Sequence, residues 1–203
     1  MNEGSSAHHH ARLRERLREE TGRAILQAAE AVFAEEGLHA ARMERIASRA
    51  GVAVGTLYNH FRDKDALLAS LVRASHGALL ERVDRALSAA AGRDVRTRLR
   101  AFLSAVAAHA REHGRFLSVL VQAGEGPARL RPPRTLLAEL VSRADRIVAE
   151  GVADGHLRPD DARLFGHALV GMARAVILRS LERGAPDDVA DAIVDIFLRG
   201  TAR

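Results

Sequence analysis

Apolar residues recur at helical spacing along most of the chain. The first stripe comprises Ile25, Ala29, Val32 and Phe33, which fall on one face of a helix that begins at about Thr21. The Thr21 side chain is predicted to cap this helix, and Gly37 is predicted to end it in a left-handed conformation. The same periodicity recurs along the chain as far as the C-terminus and indicates about nine helices, so the sequence predicts an all-α fold.

Glycines, prolines and capping residues divide the remaining chain into eight further helices. The second helix ends at Gly51, the third lies within Val52–Phe61, and Asp63 caps a fourth that continues to about Ala90. Five more helices follow, and a loop from Gly124 to Pro133 separates the second and third of them. They are predicted at Val95–Arg111, at Arg115–Ala123, from Pro133 to about Asp154, at Asp160–Arg183 and from Pro186 to about Arg199.

Composition narrows the class of protein. The chain has 203 residues, of which 47% are hydrophobic and none is a cysteine, so we expect a globular protein without disulfides or thiolate metal sites. The net charge is +5, but residues 1–85 carry only +1 of it, so charge alone does not locate a nucleic-acid site. No apolar run approaches the roughly 18 residues that cross a bilayer, and no signal-peptide pattern is present. We therefore expect a cytoplasmic protein.

The most informative segment is 43–64, where two short amphipathic helices are joined by a glycine turn. In the second of them, Leu57 and Phe61 are spaced to face inward, against Ile46 and Ala47. The side chains left facing outward carry hydroxyl, amide and imidazole groups, and they are Thr56, Tyr58, Asn59 and His60. Such groups hydrogen-bond to base edges and phosphates, and Gly55 allows close approach of the backbone. The pattern predicts a DNA-binding helix-turn-helix.

These residues resemble the DNA-binding domain of the TetR family of bacterial transcriptional regulators. The resemblance covers Thr21 to Val72 and is carried by Ala28-Ala29, Phe33, Gly37, Ile46-Ala47, Ala50-Gly51-Val52, Gly55–Phe61, Lys64 and Leu67-Leu68. It implies a homodimer that binds a palindromic double-stranded DNA operator, usually as a repressor. It also implies a small-molecule inducer that changes the spacing of the two DNA-binding heads. An activator is an alternative, because repression depends on where the operator lies.

The resemblance assigns roles to particular residues. It implies that Tyr58, His60 and Lys64 contact the DNA backbone and that Thr56 and Asn59 lie near bases. One position departs from the pattern, because Arg42 stands before the second helix, where the family commonly has a serine or threonine cap. Arg42 can contact a phosphate instead, but it leaves the start of that helix without an assigned cap.

Three regions follow from this interpretation. We predict a flexible N-terminal arm at 1–20, a helix-turn-helix DNA-binding domain at 21–66, and a ligand-binding and dimerisation domain at 67–203. Within the first region, the arginine-rich segment Arg12–Arg18 is either an arm that reaches the minor groove or a solvated extension of the first helix. His8, His9 and His10 are given no structural role.

Polar side chains on the apolar C-terminal helices are the candidate ligand contacts. These residues are His109, His113, Gln122, His167 and Arg174, with Phe102 as a candidate wall. An internal hydrogen bond, an intersubunit contact or a ligand would each satisfy a buried polar group, and Phe102 is alternatively a core residue. Aromatic residues make up only 3% of the chain, which favours an aliphatic pocket and an acyl-like ligand whose acidic group pairs with Arg174.

The other inferences concern metals, partners and chemistry. His109 and His113 have metal-ligand spacing, but Glu112 lies on a different face, so no metal or cofactor is predicted. The last two helices are apolar around much of their circumference, so a second copy of the chain is expected to cover them. The chain has no phosphate-binding glycine loop, zinc-peptidase motif or nucleophile elbow, so we do not expect an enzyme. A helical scaffold that does not bind DNA is the competing interpretation.

Overall fold

The protein is described by a computed structural model, which covers residues 3–122, 134–159, 162–183 and 189–201. In these ranges the regular elements are nine helices, which confirms the predicted all-α class. They are α1 (Glu3–Ala40), α2 (Met43–Ala50), α3 (Val54–His60), α4 (Lys64–Ala89), α5 (Val95–Glu112), α6 (Gly114–Gln122), α7 (Arg134–Ala153), α8 (Ala162–Arg183) and α9 (Val189–Thr201). None of the helices in the described ranges has the length and apolar character to cross a membrane.

The first helix is longer than its apolar stripe predicts. It begins at Glu3, so the described residues of the predicted flexible arm are helical, and Thr21 lies inside the helix. The Thr21 hydroxyl donates to the Leu17 carbonyl at 2.8 Å instead of capping a terminus. No proline interrupts this segment, which lets the helix continue toward the N-terminus. Gly37 has the predicted positive φ, at +79°, and the helix is kinked there, but helical residues continue past it to Ala40, so Gly37 does not end α1.

The predicted ends of the later helices hold to within a few residues where the chain is described. The Asp63 carboxylate accepts a hydrogen bond from the Ala66 N–H at 2.7 Å, which confirms it as the cap of α4. Asp94 caps α5 in the same way, by accepting from the Thr97 N–H at 2.9 Å. The predicted loop from Gly124 to Pro133 and the predicted helix starts at Pro133, Asp160 and Pro186 lie outside the described residues.

The chain divides into two compact units, Met1–Val72 and Arg73–Arg203. Both this division and the predicted domain boundary after residue 66 fall within α4. The core of the first unit is formed by fully buried residues of α1 to α4: Ile25, Ala29, Val32, Phe33, Ile46, Ala47, Leu57 and Leu67. The core of the second unit draws on α4, α5, α7, α8 and α9, and its most deeply buried residues are Val83, Leu99, Phe102, Leu103, Ala144, Ile147, Val148, Leu157, Leu169 and Val194.

Candidate functional site

The turn between α2 and α3 fixes the geometry of the helix-turn-helix. Gly51 ends α2 with a φ of +70°, a left-handed conformation that a side chain would strain. Its N–H donates to the Ser48 carbonyl at 3.2 Å, and the Val52 N–H donates to the Ala47 carbonyl at 3.0 Å. These bonds satisfy carbonyls that the end of α2 would otherwise leave unpaired. The glycine turn predicted here is confirmed.

Helix α3 has one buried side and one exposed side. Leu57 is fully buried, whereas Phe61, predicted to face inward, is only half-buried because it lies just beyond the last turn of the helix. Tyr58, Asn59 and Gly55 are exposed, and Tyr58 presents 45% of its surface to solvent. The only tyrosine of the chain is therefore a surface residue rather than a core residue. This exposed side is the candidate DNA-binding surface.

The remaining candidate DNA contacts are less exposed or lie off α3. Thr56 and His60 are half-buried, and a Cβ placed on Gly22 of α1 would lie 3.5 Å from His60 Nδ1. Arg42 is exposed and precedes α2 in an extended conformation, without a side-chain capping hydrogen bond. The sequence assigned no side-chain cap to α2, and the structure shows none at Arg42.

Lys64 makes contacts that the sequence did not predict. Its Nζ donates to the His39 carbonyl at 3.0 Å and to the Ala41 carbonyl at 3.1 Å. These carbonyls belong to the end of α1 and the residue that follows it, so the ammonium ties the start of α4 to the α1–α2 connection. An ammonium has three protons to donate, and one is left for a phosphate.

Two ion pairs join α2 to α1 and were also missed. Arg45 Nε lies 3.4 Å from Glu36 Oε1, and Arg49 Nη1 lies 2.5 Å from Glu35 Oε2. The arginines belong to the outer face of α2, where spacing alone predicts only solvated charge. Together with the buried Ile46 and the Lys64 contacts, these pairs hold the helix-turn-helix on α1.

The second unit contains a histidine cluster on α4 and α5. His109 is only 4% exposed, and its Nε2 lies 3.1 Å from Ser75 Oγ. Burial lowers the pKa of His109 to about 4, with nearby positive charge as a smaller cause, so its imidazole is neutral near pH 7. The His113 ring centroid lies 4.5 Å from that of His109, and burial also lowers the pKa of His76. Sequence analysis missed Ser75 and His76, although each follows a buried apolar residue of α4, Leu71 or Val72, by four positions and so interrupts its apolar stripe.

The carboxylate nearest this cluster already has a partner. Glu112 forms an ion pair with Arg82 of α4, and its pKa is lowered mainly by the hydrogen bond from that guanidinium. Among the described residues there is no group of three or more histidine or carboxylate side chains that could hold a metal. The part of the cluster that the structure defines most closely is the neutral imidazole of His109 against the Ser75 hydroxyl.

The structure does not bring the other candidate ligand contacts to this cluster. Phe102 is buried in the core of the second unit. Gln122, His167 and Arg174 are exposed. The expectation that His167 and Arg174 are buried and need partners is thus wrong for the single chain. Both lie on the side of α8 opposite Phe165, Leu169 and Ala173, which face the core.

That exposed side of α8 carries small and apolar residues, and so does the exposed side of α9. Leu164 is 54% exposed and Ile196 is 62% exposed, unusually high for large aliphatic side chains. The exposed residues at helical spacing are Leu164, His167, Ala168, Gly171, Arg174 and Ala175 on α8, and Ala192, Ile196 and Gly200 on α9. We call this set the α8–α9 face.

An arginine of α7 links two helices of the second unit. The Arg143 Nε and Nη2 atoms donate to the two oxygens of Asp84 on α4, each at 2.8 Å, and Nη1 donates to Glu139 at 2.7 Å. The hydrogen bond from Arg143 lowers the pKa of Asp84. No local pattern could reveal this pair, because its members are 59 positions apart.

In the described residues, a helix-turn-helix of the N-terminal unit precedes a separate helical unit, an organisation typical of two-domain transcriptional regulators. Residues 25–71 match the model of the tetR family of bacterial regulatory proteins, and residues 92–201 match the tetracycline repressor-like C-terminal domain. Because the second match alone covers more than half of the chain, the protein belongs to the TetR family, which confirms the resemblance.

Relatives from several bacteria are similar over different parts of the chain. The fatty acid metabolism regulator protein of Bacillus subtilis is 42% identical over 60 residues, which are 30% of this chain and 31% of that protein. The repressor KstR2 of Mycolicibacterium smegmatis is 29% identical over 141 residues, 67% of each chain. The structure of FadR from B. subtilis with stearoyl-CoA has a TM-score of 0.72 at 24% identity, covering 87% of this chain and 97% of that one. That likeness concerns the fold alone.

Proposed function

We propose that the protein is a homodimeric transcriptional repressor that binds a palindromic operator and is released by a small apolar ligand. The observation that carries the proposal is the division of α3, which buries Leu57 and exposes Tyr58 and Asn59 on a helix-turn-helix of this family. A helix of this kind enters the major groove, and two copies read the two half-sites. The protein then acts in the cytoplasm on DNA and is not an enzyme.

The side chains of the DNA-binding unit divide by the groups they offer. Asn59 and Thr56 are proposed to reach base edges, since an amide can pair bidentately with adenine and a hydroxyl can bond to either partner. Tyr58, His60 and Arg42 are proposed to contact phosphates, which set the register of the protein on DNA. Gly55 lets the α3 backbone approach the duplex closely.

Lys64 is proposed to hold a phosphate while it holds α1. Two protons of its ammonium go to the His39 and Ala41 carbonyls, and the third is directed to the DNA. A phosphate contact of this kind adds affinity without sequence preference.

The α8–α9 face is proposed to be the surface through which two copies associate. Its alanines and glycines allow close approach of helix backbones, and Leu164 and Ile196 supply apolar area. Placing Arg174 and His167 at this surface gives them partners across the twofold axis rather than in a ligand pocket.

The ligand is proposed to be an acyl-type molecule. The described core of the second unit is mainly aliphatic, which suits a chain of methylenes, and its most deeply buried polar side chain is His109. His109, His113 and Ser75 are proposed to bond to the polar end of the ligand, whereas Phe102 stays in the core. A relative named as a fatty acid metabolism regulator supports this class of ligand.

The first test is selection of bound fragments from the source genome. Wild-type protein is expected to enrich one palindrome, and Asn59→Ala is expected to lose that enrichment because base contacts disappear. Gln27→Ala is the matched control, since Gln27 is an exposed amide of α1. If neither wild type nor control enriches a site at moderate salt, the protein is a helical scaffold rather than a regulator.

The ligand class is tested on the operator that this selection yields. Palmitoyl-CoA, palmitate and free CoA are titrated against the protein–operator complex, and release by either acyl compound but not by CoA supports the proposal. His109→Ala should weaken release without weakening operator binding. Release by none of the acyl compounds overturns the acyl assignment and leaves DNA binding intact.

A further inference from the structure

The N-terminal extension of α1 carries arginines that the helix-turn-helix does not account for. Residues 12–20 are all exposed and helical, and they include Arg12, Arg14, Arg16 and Arg18. Leu13 and Leu17 are also exposed, so no core anchors this segment. Something outside the single chain is therefore needed to give the charged residues a role.

Helical register places two of the arginines on the side of α1 that faces the DNA-binding unit. Arg14, Arg18 and Gly22 follow one another at intervals of four residues, and such residues share a helix face. Gly22 lies against His60 at the end of α3, and Ile25 and Ala29 continue the stripe into the core. Arg14 and Arg18 therefore lie on the same face of α1 as the buried stripe, but beyond the end of α3, where this face is exposed.

The distances suit a contact with DNA that α3 occupies. At about 1.5 Å per residue, the Cα atoms of Arg18 and Arg14 lie roughly 6 and 12 Å beyond Gly22 along the helix. Phosphates border both sides of the major groove that α3 is proposed to occupy, and the α1 extension begins beside the last residue of α3. Within the described residues, neither guanidinium has an ion-pair partner, and Arg14 Nε donates only to the His10 carbonyl at 3.4 Å.

The helical state decides between the two DNA contacts that this segment could make. An α-helix with side chains is about 10 Å wide, whereas the minor groove is about 6 Å wide, so the helix cannot enter it. We propose that Arg14 and Arg18 form a phosphate clamp that binds the DNA backbone next to the recognition helix. This inference rests on the proposed DNA binding and adds contacts that carry no sequence information.

The salt dependence of operator binding tests the clamp. Two additional phosphates per protomer, four per dimer, contribute about 3 to 4 to the slope of log affinity against log salt. The double variant Arg14→Gln and Arg18→Gln is expected to lose this slope on operator and on unrelated DNA alike, with its preference for the operator unchanged. Lysines at both positions should restore most of the slope, since phosphate binding needs the charge.

A matched control lies in the same helix. Arg12 and Arg16 are displaced by two residues, which turns them about 200° around the axis and away from α3. The double variant Arg12→Gln and Arg16→Gln removes the same charge and should leave the slope near the wild-type value. If both double variants lose equal slope, or if neither does, the clamp is overturned while the repressor proposal stands. If wild type itself binds no operator, both fail together.

Discussion

The two units of this protein present their chemistry in opposite ways. In the first unit, the candidate functional side chains Tyr58 and Asn59 are exposed on a short helix whose other side is buried. In the second unit, the candidate residue His109 is buried, and its partner Ser75 is supplied by another helix. A surface that reads DNA can be encoded within one helix, whereas a buried sensing site requires several helices to pack. The first kind of site is local in sequence and the second is not.

The largest expected effect tests whether Phe102 belongs to the core or to a ligand wall. Phe102 is 1% exposed among the aliphatic residues of the second unit. Phe102→Ala should cost about 3–5 kcal/mol of unfolding free energy, measured by chemical denaturation of the ligand-free protein. A loss below about 1 kcal/mol would mean that the side chain borders open space, as a pocket wall does. Phe102 would then be a residue of the ligand-binding site, and the contrast between an exposed site in the first unit and a fully packed core in the second would be weaker.

The buried histidine should make the second unit sensitive to acid. The folded pKa of His109 is about 4, below its ordinary value of 6.5, so the unfolded chain binds the proton more readily. Its contribution is therefore complete above about pH 6.5 and is lost as the pH falls toward 4, by about 3 kcal/mol in total. The measurement is the unfolding free energy of wild type and His109→Gln across that range. Parallel curves would show that His109 is not buried in its neutral form.

The bidentate pair of α7 and α4 should contribute more than an exposed pair of the same type. The side chain of Arg143 is 13% exposed, whereas that of Arg96, which pairs with Asp195 at 2.5 Å, is 59% exposed. Arg143→Met should cost about 1–3 kcal/mol of unfolding free energy, because it removes two charge-assisted hydrogen bonds to Asp84 from a guanidinium that is largely buried. Arg96→Met is the control and should cost less than about 1 kcal/mol. Equal costs would contradict the assignment of Arg143 as the link between α4 and α7.

Sequence reasoning succeeded where the determining interaction is local. The end of α2 at Gly51, the buried Leu57 and the cap at Asp63 each depend on a few neighbouring residues, and each is observed as predicted. The start of α1 was predicted in part: the start at Thr21 is wrong, whereas the alternative of a solvated helical extension at Arg12–Arg18 agrees with the structure.

Long-range contacts explain the remaining errors. The sequence showed that α8 is apolar around its circumference, but not which side the single chain covers, so His167 and Arg174 were expected to be buried. Arg143 and Asp84 are 59 positions apart in the sequence and belong to different helices, so no spacing rule identifies their pairing. The histidine cluster was found only in part, since Ser75 and His76 come from a different helix than His109.

The smallest expected effect concerns Lys64, where an observed structural contact coincides with a proposed DNA-binding role. Lys64→Met removes two hydrogen bonds to the His39 and Ala41 carbonyls and should lower the unfolding free energy by about 1–2 kcal/mol in the absence of DNA. Arg62→Met is the control, because Arg62 is exposed and pairs only with the adjacent Asp63 in the described structure. A residue that only bound phosphate would lower operator affinity without changing stability. If Lys64→Met lowers both stability and operator affinity, Lys64 links the start of α4 to the α1–α2 connection within the first unit. If stability is unchanged, Lys64 is an exposed residue whose role depends on local sequence alone, like Tyr58 and Asn59.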